Sequence, residues 1–435
     1  MTQLNPLPRG AQVAVIGAGP VGLAAAAHLL EQGLEPMIFE ADEAPGATFR
    51  DVAQVRLFSP WRYNVDDAAK RLLESVGWEH PDPDALPTAA DLLERYLEPL
   101  AAHPALAERL HLASRVTRIA RQGVDKVRTR GREAQPFVLR VRNRDDQEEE
   151  HLAAAVLDAT GTWAHPNPLG ANGLPAIGEN EFAQWIGYGM PDVLGRERAH
   201  YEGLRVLVVG AGHSAAGSLL ALTELAEKHP GTQVHWAVRG GTPHRLLGQT
   251  GEDSLPARGA LGERVKALVR SGQLTLHTGF PIQELRAGDD GMTVIPAPTT
   301  EHAPLYGIDR IIAATGARPD TTLTRELRVE LDPALESVKA LAPMVDPNEH
   351  SCGTVAPHGH RELAQPEPGF YVVGAKSYGR APTFLMATGY EQVRSIAAAL
   401  AGDFSTADKV ELKLPATGVC GVPSANEPDH KEAAC

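Results

Sequence analysis

Two stretches of the chain share one pattern: a short run of apolar, β-branched positions, a glycine-rich turn, and then an Ala/Leu-rich segment. The first is Val13-Ala-Val-Ile-Gly-Ala-Gly-Pro-Val-Gly22 and the second is Val206-Leu-Val-Val-Gly-Ala-Gly-His-Ser-Ala215. An unbroken apolar run bounded by turn residues predicts a strand buried on both faces, as in a parallel sheet covered by helices. The first unit extends from Ala11 to Glu40, with a helix over Pro20 to Gln32 that stops at Gly33 and a second strand, Pro36-Met-Ile-Phe-Glu40. The second unit starts at Leu204, and its second strand is Gln233-Val-His-Trp-Ala-Val-Arg239.

Between and beyond these units the alternation weakens into shorter elements. A helix is predicted from Thr88, its N-cap, to about Ala101. Short strands follow at Ser114–Arg121 and Phe137–Arg142, and the acidic run Asp145–Glu150 is expected at the solvated tip of a hairpin. The strand Ala154–Asp158 ends in Ala159-Thr-Gly161, and Arg310-Ile-Ile-Ala-Ala-Thr-Gly316 repeats that ending. Pro166 to Pro191 is rich in Gly, Pro and Asn and marks a linker. Gly369–Gly374 is a last strand, leading through Lys376-Ser-Tyr-Gly-Arg380 into a helix from about Phe384 to Ala401, with Thr383 as its N-cap. Ser405 to Cys435 reads as an extended tail.

A strand, a G-x-G-x-x-G turn and a helix in succession form the signature of a dinucleotide-binding unit, and two copies in one chain are far more specific than one. Gly17 permits the tight turn, Gly19 lets the backbone approach a pyrophosphate, and Gly22 brings the helix close to the strand. The pyrophosphate would rest on the unsatisfied N–H groups at the helix start near Pro20. Glu40 ends the second strand, where a carboxylate accepts from the adenosine ribose and repels a 2′-phosphate, so FAD or NAD fits and NADP does not. In the second unit Gly210 and Gly212 keep their roles, Ala215 takes the third position, and His213 and Ser214 are positional. Its strand ends in Arg239, which with His244 and Arg245 would grip a 2′-phosphate and select NADPH; otherwise Arg239 solvates a strand end.

Thr160 and Gly161, and likewise Thr315 and Gly316, let the backbone pass close to a cofactor or to the neighbouring domain. Gly374, Tyr378, Arg380 and Thr383 precede a helix whose positive end would point at the pyrimidine end of an isoalloxazine ring, with Tyr378 and Arg380 at the flavin face. Ala44–Arg50 and Val55–Tyr63 either line a flat ring system or form a surface loop with a packed Trp.

The 435 residues suit two or three domains, and 43% hydrophobic with 22% charged residues is ordinary for a globular enzyme. A net charge of −14 argues against a nucleic-acid surface. No apolar run is long enough to span a bilayer and Met1 to Gly10 lacks a signal-type apolar region, so the expected location is cytoplasmic with no membrane partner. Cys352, Cys420 and Cys435 make neither a disulfide framework nor a C-x-x-C pair, which excludes a dithiol relay. His350, Cys352, His358 and His360 are close in sequence, but they read as a loop with Cys352 against a cofactor, and no metal site is expected.

On Gly17–Gly22 with Glu40, the two Ala-Thr-Gly ends, Gly210–Ala215 and the C-terminal segment, the chain resembles flavoproteins with two dinucleotide-binding domains. Within them it is most similar to bacterial flavin-containing monooxygenases, from Gln12 to Leu400. The resemblance implies an α/β fold of two Rossmann-like domains, an NADPH domain (166–304) inserted into an FAD domain (1–165 and 305–404), with 405–435 as the tail. It also implies hydride transfer between the two cofactors and a reduced flavin that activates O2. Three departures stand out: His200 is the sole counterpart of the signature histidine, Pro45-Gly-Ala-Thr-Phe49 replaces a Gly-Gly-x-Trp loop, and Gly374-Ala-Lys376 replaces a Gly-Asp pair. The expected activity is oxygenation of a small soft nucleophile (a sulfide, an amine or a trivalent arsenical), with no general base assigned and a homodimer allowed. An NADPH:acceptor reductase or oxidase and a non-catalytic redox sensor are the alternatives.

Overall fold

The computed structural model describes residues 5–241, 256–347, 355–382 and 384–412. The apolar run Gln12–Ile16 forms β1, the helix Pro20–Glu31 (α1) follows directly, and Glu35–Phe39 is β2. Leu110–His111 is β3, after a helical layer that includes Asp67–Glu74 (α2). A meander of Arg115–Arg121 (β4), Phe137–Arg142 (β5) and Glu148–Ala153 (β6) then leads to Ala155–Asp158 (β7). Ile186–Tyr188 (β8) precedes the second unit, in which Arg205–Val209 (β9), His213–Lys228 (α3) and Gln233–Ala237 (β10) repeat the opening motif. Pro256–Ser271 (α4) and Thr275–His277 (β11) lead to a second meander: Ile282–Gly288 (β12), Gly291–Pro296 (β13) and Leu305–Ile308 (β14). Arg310–Ala313 (β15), Phe370–Val372 (β16) and Met386–Leu400 (α5) complete the framework.

The strands form two five-stranded parallel sheets, ordered β16-β7-β1-β2-β3 and β11-β10-β9-β15-β8. The two halves repeat each other beyond the glycine motif. In each, three strands are followed by an antiparallel meander, and the next strand pairs with the first of the unit: β7 with β1, β15 with β9. This is the α/β fold expected, with its ligand-binding edge at the carboxyl ends of the strands. One apolar core runs through the first unit, and two others cover opposite faces of the second sheet.

Several boundaries differ from expectation. Leu305–Ile308 and Arg310–Ala313 belong to the second unit, because β14 pairs with β13 and Arg310 lies opposite Val206 in β9. The chain therefore returns to the first unit after Ala313 rather than at 305. The linker Pro166–Pro191 contains β8, whose Ile186 pairs with Ile311. Glu148, Glu149 and Glu150 are not at a hairpin tip but in strand β6, opposite Arg142, Val141 and Arg140. Arg140 donates to Glu150 at 2.8 Å, so the facing cations accommodate the acidic run on an edge strand.

The helix after Thr88 has the expected cap: Asp91 N–H donates to Thr88 Oγ1 and Thr88 N–H to Asp91 Oδ2. It widens into a π turn at Leu93–Leu97 ahead of Pro99, whose ring cannot sit against the Arg95 carbonyl; Trp78 Nε1–H donates to that carbonyl at 2.7 Å. The last long helix begins at Met386, two residues later than expected, with Leu385 at its N-cap and no side-chain cap; Thr383 lies outside the described residues. Within the expected tail, Phe404–Ala407 is a short helix capped by Asp403.

Candidate functional site

The first glycine turn is set by contacts with its own unit. Gly17 has φ +102°, and a Cβ there would lie 2.8 Å from the carbonyl oxygen of Ala159, the residue that follows β7. A Cβ at Gly22 would run into the carbonyl oxygen of Gly17, which is why α1 can lie so close to β1. Gly19, the N-cap of α1, is different: nothing lies within 4 Å of the position a Cβ would take, and Pro20 opens the helix beyond it. An open cradle at a helix start with unsatisfied N–H groups fits a pyrophosphate. Glu40 accepts from Ala18 N–H at 2.7 Å and from Asp42 N–H at 3.0 Å. Its carboxylate thus shapes the loop and keeps acceptor capacity for a ribose hydroxyl.

The first Ala-Thr-Gly end is tied down from beneath. Thr160 Oγ1–H donates to Asp158 Oδ1 at 2.7 Å, and Lys376 Nζ donates to Asp158 Oδ2 at 2.7 Å and to Thr160 Oγ1 at 2.9 Å. Gly161 has φ +68°. The Gly374–Tyr378 turn is held from the other side by Gln392, which accepts from Gly374 N–H at 2.8 Å and donates to Ser377 Oγ at 3.0 Å. Gln392 also faces His358 Nε2 at 2.9 Å, while His358 Nδ1 faces the carbonyl of Ala356. Burial holds His358 below the usual histidine range, so its Nε2 is the acceptor. Gln392 carries no motif of its own and was missed from the sequence, where Lys376 stood out only as part of the Gly374-Ala-Lys376 departure and not for its bond to Asp158.

Tyr378 and Arg380 part company. Tyr378 is buried in the first core against His358 and Phe384, where burial pushes its phenol up, whereas Arg380 is exposed and lines the cleft described below. Of the segment Val55–Tyr63, Trp61 is a core residue under Arg95 and Phe58 lines the cleft.

In the second unit a Cβ at Gly210 would meet the Ala314 carbonyl, the counterpart of Gly17 against Ala159. Trp236 Nε1–H donates to the Gly210 carbonyl at 2.7 Å. Gly212 caps α3 and, like Gly19, has nothing within 4 Å of a Cβ position. His213 and Ser214 form the first turn of α3 and line the cleft, while Ala215 is fully buried. Thr315 Oγ1–H donates to the Asn167 carbonyl at 2.5 Å, and Asn167 Nδ2–H to the Thr315 carbonyl at 3.2 Å, so the linker pins this strand end. Asn167 Oδ1 is buried with no donor among the described residues and offers an acceptor beside Thr315 and Gly316. Arg239 is exposed on the cleft, reaching the Ala171 carbonyl at 3.5 Å, and Arg264 of α4 lines the same cleft, a cation missed from the sequence. His244 and Arg245 lie outside the described residues.

The units meet across a cleft of about 1950 Å3. That is about twice the upper end of ordinary small-molecule pockets. The first unit lines it with Asp42, Phe49, Phe58 and Met386 among others, the second with Gly210, Gly212, His213 and Ser214. Gln54 Nε2–H donates to the Met190 carbonyl at 2.9 Å and Arg196 Nη2–H to the Asp51 carbonyl at 3.2 Å, and the rings of Phe58 and His213 lie 5.6 Å apart. His200 stands apart, in a short exposed turn whose carbonyl accepts from Arg310. His360 pairs with Asp408 at 2.9 Å, and no group of three or more His, Cys, Asp or Glu among the described residues could hold a metal. Cys352, Cys420, Cys435 and His350 lie outside those residues. No described helix is long and apolar enough to cross a membrane.

A profile of the pyridine nucleotide-disulphide oxidoreductases matches residues 14–352. The chain belongs to that family. It is a flavoprotein oxidoreductase of two dinucleotide-binding units, and the family's description names a pyridine nucleotide. Among curated proteins it is 26% identical over 223 residues to flavin-containing monooxygenase 1 of Homo sapiens, covering 50% of this chain and 39% of that protein. The chain thus spans about two fifths of the length of the curated relatives it matches. Among solved structures it is similar to a bacillithiol disulfide reductase from Bacillus cereus, with TM-score 0.66, 19% identity, and 90% of this chain and 99% of that one covered. It is also similar to a cadaverine monooxygenase from Erwinia amylovora solved bound to FAD, with TM-score 0.62, 14% identity, and 95% and 99% covered. At these identities the two structures share the fold with this chain. The sequence holds three cysteines, Cys352, Cys420 and Cys435, and no C-x-x-C pair.

Proposed function

We propose that the first unit holds FAD, that the second holds NADPH, and that the reduced enzyme inserts one oxygen atom from O2 into a small soft nucleophile: a sulfide, an amine or a trivalent arsenical. NADPH, a proton, O2 and the substrate give NADP+, water and the oxygenated substrate. Bound FAD supplies hydride acceptance and oxygen activation. The chain's own residues do the rest. The N–H groups around Gly19 and Pro20 receive the pyrophosphate, and Glu40 keeps acceptor capacity for the ribose. The start of α5 points its positive end toward the site. Gly212, His213 and Ser214 present backbone N–H groups to the second pyrophosphate, and Arg239 with Arg264 supplies charge for a 2′-phosphate. The observation that carries the reading is a cleft lined by both units, with the second glycine turn on one wall and residues 47–49, 51–52, 54–58, 379–382 and 384–386 on the other.

The test measures NADPH oxidation with and without O2, using methyl phenyl sulfide as substrate and 18O2 as label. The reading predicts O2-dependent NADPH consumption and 18O in the sulfoxide. NADPH consumption that needs ferricyanide instead of O2, with no label in the sulfide, replaces it with the acceptor reductase. Stoichiometric peroxide with no labelled product from sulfide, amine or arsenite replaces it with an NADPH oxidase, and a flavin that NADPH does not bleach leaves only the sensor.

A further inference from the structure

The buried pair Asp158–Lys376 sits where two neighbouring strands end. Asp158 closes β7, and Lys376 lies in the turn after β16, the strand paired with β7. Asp158 is 0% exposed and Lys376 3%. The carboxylate accepts three hydrogen bonds, from Lys376 Nζ at 2.7 Å, Thr160 Oγ1 at 2.7 Å and Thr160 N–H at 3.2 Å, and the main-chain carbonyl of Asp158 accepts from Val373 N–H at 3.0 Å. The ammonium also donates to Thr160 Oγ1 and borders a cavity of about 10 Å3 lined by Asp320, Thr321 and Glu336. Enclosing a lysine and an aspartate this completely removes their solvation, a loss that only good geometry offsets. Ordinary packing would not demand a charge here.

What the pair holds is specific. The residue after Asp158 is Ala159, whose carbonyl is the surface against which Gly17 packs, 2.8 Å from where a Cβ would be. Two residues before Lys376 is Gly374, whose Cβ position is 3.4 Å from Val21 in the first turn of α1. The Asp158–Lys376–Thr160 triad therefore fixes both surfaces on which the first glycine loop and the start of α1 rest. The second unit places the same backbone, the Ala314 carbonyl against Gly210, with a neutral device: Thr315 bonded to Asn167.

We infer that Lys376 is a positioning residue for FAD, registering the ends of β7 and β16 so that the loop Gly17–Gly22 presents its N–H groups to the pyrophosphate. It acts through Asp158 and Thr160 and does not touch the reacting atoms. This role rests on the assignment of FAD to the first unit.

The experiment titrates FAD into deflavinated full-length protein, following flavin fluorescence, for the wild type, Thr160→Val, Lys376→Met and Asp158→Asn/Lys376→Met. NADP+ binding and the Tm of the apo-protein are measured on each. Thr160→Val keeps the charge pair and the side-chain shape but removes both hydroxyl bonds to charged groups. It should weaken FAD by about tenfold, the scale of hydrogen bonds to ions, and lower the Tm of the apo-protein, with NADP+ affinity unchanged. The double variant should bind FAD less well than wild type yet fold better than Lys376→Met, which strands a buried carboxylate. Wild-type FAD affinity in both Thr160→Val and the double variant overturns the role while leaving the cofactor assignment standing. A parallel loss of NADP+ affinity and Tm reduces the triad to general stability, which also overturns it. A wild-type protein that binds no FAD sinks the cofactor assignment itself.

Discussion

The five glycines of the two loops divide by what stands beside them, Gly210 packing on the Ala314 carbonyl as Gly17 does on that of Ala159. Gly17 and Gly22 are packed against backbone, so a methyl group there displaces a strand end or the helix; overpacking of that kind costs roughly 1–3 kcal/mol. Gly19 and Gly212 have φ near −80° and −100°, which any residue adopts, and open space around the Cβ position. Gly19→Ala should therefore leave the Tm of the apo-protein unchanged and abolish FAD retention, whereas Gly22→Ala should lower the Tm even without cofactor. Differential scanning of apo-protein, followed by flavin content after reconstitution, separates the two. A Gly19→Ala protein that keeps its flavin would mean that the pyrophosphate does not approach that residue. These positions were legible in the sequence because a glycine's backbone demand is local. Lys376, Asn167 and Gln392 were not, because what defines them is a partner 218, 148 and 18 residues away. Tyr378 was placed on the wrong side of its turn, since which way a side chain faces is decided by the packing of His358 and Phe384 behind it.

Elements are joined by polar contacts as specific as the apolar ones. The meander β4–β6 is tied to the approach to β16 by Glu367, 1% exposed, which accepts from Arg121 at 2.8 Å and from Arg132 at 2.8 Å. Helix α1 is tied to α2 by His28, whose Nε2 lies 2.9 Å from Asp66 Oδ2, while Asp66 Oδ1 caps α2 by accepting from Ala69 N–H. Burial opposes a charge on His28 and Arg71 repels it, but Asp66 and Glu31 together outweigh both, so the imidazole titrates above its ordinary 6.5. A raised value in the folded state means that the bonus is complete below the ordinary histidine range and fades as pH climbs through the native value. His28→Gln should therefore destabilise by about 1.5–3 kcal/mol in mild acid, the scale of a charged hydrogen bond, and by progressively less as pH rises above 6.5. Urea melts of both proteins across that range give the difference directly. A gap that stays constant or widens toward alkaline pH contradicts a charged His28. The sequence marked α1 by its apolar face but gave no sign of this contact. Likewise it located β15 as a strand but counted it with the first unit, and it did not mark β14, because strand partners are chosen by packing across the chain.

At the scale of the whole molecule, one segment of the first unit does most of the reaching across. Residues 51–58 supply the Asp51 carbonyl to Arg196, the Gln54 amide to the Met190 carbonyl, and the Phe58 ring against His213 on the first turn of α3. An oxygenating flavoenzyme needs its site shielded from water, because a wet site releases peroxide in place of oxygenated product. Phe58 is the apolar group of this segment that meets the second unit at its glycine turn, so its ring both closes the seam and marks how close the two units stand. Phe58→Ala shortens the ring to a methyl group and lets water into the seam, while the packed glycines, Glu40 and the Lys376 triad are untouched. On the proposed function it should leave FAD content unchanged and NADPH oxidation within a few-fold of wild type, yet raise the fraction of NADPH electrons recovered as peroxide several-fold at saturating methyl phenyl sulfide. Peroxide and sulfoxide quantified in the same reaction give that fraction. An unchanged ratio would show that the seam at Phe58 does not guard the reacting centre, and the shielding would then have to come from residues 379–382 and 384–386 of the first unit's wall. A variant that loses NADPH oxidation altogether would instead make the Phe58–His213 contact part of how the nucleotide is seated.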